Sequence, residues 1–222
     1  MTHTLHRFGT PEDLSRDYVV FAMSAKGINE IGSAEKLRRF MEICFRFNPN
    51  NYGDMKTGNM ISHSREAILE GIQDVSIVHA VYTDEQTVAA VLHAVQQADL
   101  GVSVVVSGLA DRVDACARQA GLKRHTVEWS LGVWGRTDLL PDREVMEVTT
   151  MCGHGMVSAE WVRRKAQQIR HGQTTPAEAA HEIARACVCG VFNLERAASL
   201  LSAMAAHPAR PPRRAEAGQT TA

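Results

Sequence analysis

Hydrophobic positions along this chain fall in short blocks whose period switches between strand-like and helical up to about Thr150, and is helical thereafter. Thr10-Pro11-Glu12-Asp13 reads as a helix start, with an N-cap threonine, proline at the first helical position and acids in the first turn. The apolar run Asp17–Met23 follows as a buried strand. Ser33 is expected to cap a helix to about Phe47, with Leu37, Phe40, Cys44 and Phe47 on one stripe. The cluster Asn48-Pro49-Asn50-Asn51-Tyr52-Gly53 reads as a turn, and Ser64 as the start of a short helix through Ile72.

The middle of the chain is the most regular. Val75–Tyr82 is a strand, and Thr83-Asp84-Glu85-Gln86 reads as a capping box that opens a helix to about Ala98. Val102–Val106 is a second buried strand. Ala110–Ala120 is a helix stopped by Gly121. His125–Trp134 and Glu144–Thr150 are each expected to be strands. This order implies a small layered α/β (α+β) sheet domain over residues 1–150, ferredoxin-like or a short doubly wound sheet. A helical, cysteine-bearing segment spans 151–205, with helices at Ser158–His171, Thr175–Cys187 and Asn193–Met204. The Pro-, Ala- and Arg-rich stretch 206–222 is expected to be a disordered tail.

Composition narrows the classes. Of 222 residues, 45% are hydrophobic and 22% charged, as in ordinary globular proteins. A net charge of -1 argues against a nucleic-acid partner, which would require a basic face. No stretch reaches the roughly 20 apolar residues of a membrane helix, and the N-terminus lacks the apolar core of a signal peptide. The expectation is a cytoplasmic protein with a small-molecule substrate and no membrane partner; a homo-oligomer is left open.

In such a compartment thiols stay reduced, so the five cysteines are read singly. Cys44 and Cys116 sit on apolar helix stripes and read as core residues. Cys152 is different. It lies in Met151-Cys152-Gly153-His154-Gly155, between two elements, where glycines on both sides of His154 permit close backbone approach to a ligand. The N–H groups of the helix start that follows would favour a thiolate. Cys187-Val188-Cys189-Gly190 forms the second half. Residues two apart diverge on a helix but converge where the backbone turns, and Gly190 marks such a break.

Cys152, Cys187 and Cys189 are therefore the candidate metal ligands, with Gly153, Gly155 and Gly190 shaping the cradle and His154 the candidate catalytic residue. Two centres compete. Three cysteines with an open position describe a [4Fe–4S] cluster whose exposed iron acts as a Lewis acid on a small polar or sulfur-containing substrate, a lyase-type reaction with His154 as acid or base. Three cysteines with His154 as fourth ligand describe a tetrahedral zinc site that staples the helices to the sheet. The apolar neighbours Met151, Val188, Val191 and Phe192 favour the cluster of the two. A metal-free ligand-binding or regulatory domain is the third reading. His181 and Arg185, one turn apart, lead towards Cys187; they read first as the surface face of an amphipathic helix and, as the alternative, as lining the same pocket. His63, His79, His93 and His125 share no spacing.

Overall fold

The computed structural model describes residues 4–207. Its elements in chain order are α1 (Pro11–Leu14), β1 (Tyr18–Met23), α2 (Ser33–Phe45), β2 (Asn51–Asp54), β3 (Gly58–Asn59), α3 (Arg65–Gly71), β4 (Ile77–Tyr82), α4 (Glu85–Ala98) and β5 (Ser103–Ser107). Helices follow: α5 (Ala110–Gln119), α6 (Arg143–Thr149), α7 (Ala159–Arg170), α8 (Pro176–Ala184) and α9 (Leu194–Ala206).

The five strands make one antiparallel sheet in the order β3-β2-β4-β1-β5. The mixed α/β class expected from the sequence is what the chain adopts. Because side chains alternate across a strand, β1 feeds two cores. Tyr18, Val20 and Ala22 face α2 and α4, whereas Val19 and Phe21 face the C-terminal helices. Both sets are buried, as a central strand covered on both faces requires. The cysteine-bearing segment thus closes the second face of the sheet.

Several local readings hold. Thr10, Ser64, Ser158, Thr175 and Asn193 each cap the helix that follows, and Thr175 and Glu178 complete a capping box. Leu37, Phe40 and Cys44 are fully buried.

Others are corrected. Ser33 lies inside α2, whose N-terminus is served from a distance by Asp74, a carboxylate accepting from the N–H groups of Gly32 and Ala34 at 3.0 and 2.8 Å. The cap of α4 is Asp84, accepting from Thr87 N–H, in place of the box read from Thr83. Asn51, Tyr52 and Gly53, expected in a turn, lie in strand β2, all four residues of which are buried. β5 is an edge strand, partly exposed where a buried one was expected. Residues 125–134 form no strand and are exposed throughout. Glu144–Thr150 lies mostly in helix α6; Val145, Val148 and Met151 recur every three residues and are buried on one side. The expected tail lies, from residue 208 on, outside the described residues. Among those residues no helix is long and apolar enough to cross a membrane.

Candidate metal centre

α6 ends at Thr149, and the chain turns through Cys152 to Val157 before α7 begins. α8 ends at Ala184, and a second turn carries Cys187 to Gly190, closed by Gly190 N–H donating to the Cys187 carbonyl at 3.1 Å. Turning backbone lets both cysteines face inward while Val188 between them is half exposed. Cys152, Cys187 and Cys189 are all buried in the core beneath the sheet, together with Met151, Val191 and Phe192. Cys44 and Cys116 are buried in the core on the other face.

The four candidate side chains are neighbours in series. Sγ of Cys187 is 4.0 Å from Sγ of Cys189, and Sγ of Cys189 is 3.8 Å from Nδ1 of His154. Cys152 lies in the same buried cluster and is coupled electrostatically to Cys187. The buried end of the series is thiol and the outer end is the exposed imidazole of His154. Main-chain N–H groups face every sulfur: those of His154 and Met156 at Cys152, and that of Val191 at both Cys187 and Cys189.

The electrostatics order the thiols. Hydrogen bonding to Cys187, then burial, pushes Cys152 well above the usual thiol range. Cys187 is drawn down by Cys152 but pushed up by its bond to Cys189 and by burial, to about 12. The Cys187 thiol, aided by Val191 N–H and the Arg7 charge, holds Cys189 below the ordinary value despite burial. Cys189 is the preferred thiolate. Among the described residues no three His, Cys, Asp or Glu side chains are already drawn together as a metal cage; the arrangement is a chain of neighbours.

The glycines divide by role. Gly190 has φ +75°, and a Cβ there would lie 2.4 Å from the main-chain carbonyl of Tyr52 in β2. It lets the cysteine turn lie flat against the sheet. Gly153 and Gly155 both have φ +69°, and a Cβ on Gly155 would meet nothing within 4 Å. Their loop faces outward.

Three residues that the sequence did not single out hold the two turns together. Arg7 donates to the carbonyl of Met151, beside Cys152, and to that of Val191, two residues past Cys189. It also pairs with Asp17, which Arg196 and Asn193 contact from α9 and its cap. Asn59 of β3 donates to the carbonyls of Ala184 and Cys187 at 3.2 and 2.8 Å. Asn51 of β2 donates to the carbonyl of Phe192 at 2.7 Å. Apart from Asp17, each partner is a main-chain carbonyl more than a hundred residues away, which leaves no spacing signal.

His181 and Arg185 do line a cavity, of about 460 Å³, with Lys165, Gln168 and Glu182. None of the three cysteines lines it, and the Lys165–Glu182 ion pair lies within it. The cavity and the thiol cluster are separate features. His79 is buried against Phe21, ring centroids 5.5 Å apart, as a core histidine on β4.

Compared with protein-family models, curated proteins and solved structures, the chain matches none.

Proposed function

We infer that Cys152, Cys187, Cys189 and His154 bind a thiophilic metal, and that the centre is a single-ion Cys₃His site fastening the two turns to each other. The observation that carries this reading is the approach of three buried thiols and one imidazole, with main-chain N–H groups aimed at every sulfur. N–H groups facing sulfur stabilise thiolates and are a recurrent outer layer of metal–thiolate sites. Around one tetrahedral zinc, with Zn–S near 2.3 Å, sulfurs stand about 3.8 Å apart. The 4.0 Å between Cys187 and Cys189 suits that arrangement. In a cubane cluster the thiolates ligate different irons and stand further apart. When bound, zinc would supply the charge that keeps all three thiols deprotonated.

A second reading is favoured by one observation, the exposure of His154 at the end of the series. There the three cysteines carry a [4Fe–4S] cluster with an open iron, and His154 exchanges a proton with a small polar or sulfur-containing substrate, as in a lyase. Five unpaired cysteines fit a reducing, cytoplasm-like compartment under either reading. We also read the β2-β4-β1-β5 order with helical crossovers as a ferredoxin-like arrangement.

Metal analysis of anaerobically purified protein tests this. Colourless protein with stoichiometric zinc, lost from Cys152→Ser, Cys187→Ser and Cys189→Ser and retained in Cys44→Ser and Cys116→Ser, supports the single-ion site. In that case His154→Ala lowers metal affinity and melting temperature together, because binding energy at such a site is folding energy. Brown protein whose His154→Ala variant keeps its iron establishes the open-cluster reading. Anaerobically purified protein without metal overturns both.

A further inference from the structure

α7 and α8 pack against each other, and the cavity of about 460 Å³ lies between them. On α8, Glu178, His181, Glu182 and Arg185 recur at steps that place them on one helix face. Lys165 and Gln168, one turn apart on α7, line the same space. The turn between the helices adds Gln173 and Thr174, and among the described residues Ile61 is the one apolar member of the lining. Gaps left by imperfect packing are small and apolar. This cavity is neither: it falls within the roughly 300–1,000 Å³ of small-molecule sites, and its walls are charged and amide groups.

Some of those groups are already engaged. Oε2 of Glu178 accepts from the Thr175 N–H and hydroxyl and from the Thr174 hydroxyl, at the start of α8. Lys165, nine-tenths buried, draws Glu182 into an ion pair. Arg185, one turn beyond Glu182, is left without a carboxylate among the described residues, and His181 on the same face has no partner there either. Oε1 of Gln168 is buried with no hydrogen-bond partner, a condition that folded chains rarely leave unanswered.

The groups left over are of both signs. A purely anionic ligand on Arg185 would meet the Glu182 charge one turn away, and a purely cationic ligand on Glu182 would meet Arg185 and Lys165. A molecule carrying both charges on neighbouring atoms avoids both penalties. Residues three apart on a helix have Cβ atoms about 5–6 Å apart, so Glu182 and Arg185 can flank an ammonium and a carboxylate joined through one carbon.

We propose that this cavity binds a free α-amino acid with a polar side chain. Its carboxylate lies on Arg185 and His181, its ammonium on Glu182 and Glu178, and its side chain against the amides of Gln168 and Gln173. The site is separate from the thiol cluster and stands whether or not a metal binds there.

A thermal-shift screen of the full chain with each standard amino acid, followed by calorimetric titration, tests this. An amino acid with a hydroxyl or amide side chain should bind, one per chain. Its N-acetyl and methyl-ester forms, each lacking one charge, should bind at least about tenfold more weakly, as loss of a hydrogen bond to a charged group implies. Arg185 is exposed, so Arg185→Met should keep the circular dichroism and metal content of the wild type. It should bind the amino acid as weakly as the ester and lose the preference between the two. His181→Ala, at a second exposed position, should show a smaller loss in the same direction. Absence of binding by every amino acid overturns the proposal, as does equal binding of the N-acetyl or ester form. Wild-type affinity in both variants overturns it too, placing the ligand elsewhere.

Discussion

The side-chain amide of Asn59 donates to the main-chain carbonyl of Cys187 at 2.8 Å, tying the short strand β3 to the turn that carries two thiols. Its second bond, to the carbonyl of Ala184, fixes the end of α8. Asn59 is fully buried, so neither carbonyl has water to fall back on.

Replacing Asn59 by Leu should therefore cost about 1–3 kcal/mol for each buried carbonyl left unsatisfied. Denaturant unfolding measures that loss. Labelling of Cys187 and Cys189 by a thiol reagent should also accelerate, because the turn is no longer held. Unchanged labelling would mean that Asn59 does not position the turn.

Arg7 should matter more than its place near the N-terminus suggests. Its side chain is 6% exposed and its partner Asp17 is completely buried. Arg7→Met strands one end of a buried charge network and releases the carbonyls of Met151 and Val191. The expected destabilisation is about 3–5 kcal/mol, as for other buried pairs broken on one side. Retained Arg196 contacts on Asp17 place it towards the lower end. Arg7→Lys should recover only part, since an ammonium lacks the planar fork that bridges separate acceptors. Full recovery by lysine would reduce the role of Arg7 to charge alone.

Gly190 and Gly155 share a positive φ but should respond differently to alanine. At Gly155 only the conformational cost applies, about 1–2 kcal/mol. At Gly190 the same cost is joined by collision with the Tyr52 backbone, which cannot swing aside as a side chain would. Gly190→Ala should unfold at markedly lower temperature than Gly155→Ala and lose metal with it. Equal melting temperatures would show that the cysteine turn does not rest on β2.

Asp74 gives a pH dependence whose sign is fixed. The N–H groups of Ala34, then Gly32, hold its carboxyl below the usual carboxylate range. A depressed folded-state value means that the stabilisation is complete above the unfolded value of about 3.9 and is lost as pH falls through the folded one. The stability gap between wild type and Asp74→Asn should be constant near neutrality and shrink below about pH 4. A gap that persists unchanged into acid would remove Asp74 as the cap of α2.

How much of this was legible follows from where each signal resides. The thiol cluster was readable because cysteine beside glycine at an element boundary is a local pattern. β1, β4 and the capped helices were readable for the same reason, since apolar runs and N-caps are written in consecutive residues. α6 was misread because Val145, Val148, Thr149 and Thr150 are β-branched, and propensity gave way to the three-residue recurrence that packs the helix on α7 and α9. β2 was missed because Asn51 and Gly53 look like turn residues until the partner of Asn51, the carbonyl of Phe192, is known. Residues 125–134 have the right period for a strand and, among the described residues, no strand beside them. Pattern specifies what a segment can pair as, and only the assembled sheet says whether a neighbour is there.

The division of β1 between two cores has a consequence for synthesis on the ribosome. Domains assemble from the N-terminus as the chain emerges. The core containing Tyr18 and Val20 has its helices by Gln119, while that containing Val19 and Phe21 waits for α9, the last helix described. For most of translation the nascent protein is a half-covered sheet, with a sticky apolar face held open until its final helix arrives and Arg196 reaches Asp17. Truncation before that residue would leave a chain with intact strands and a strong tendency to be captured by chaperones.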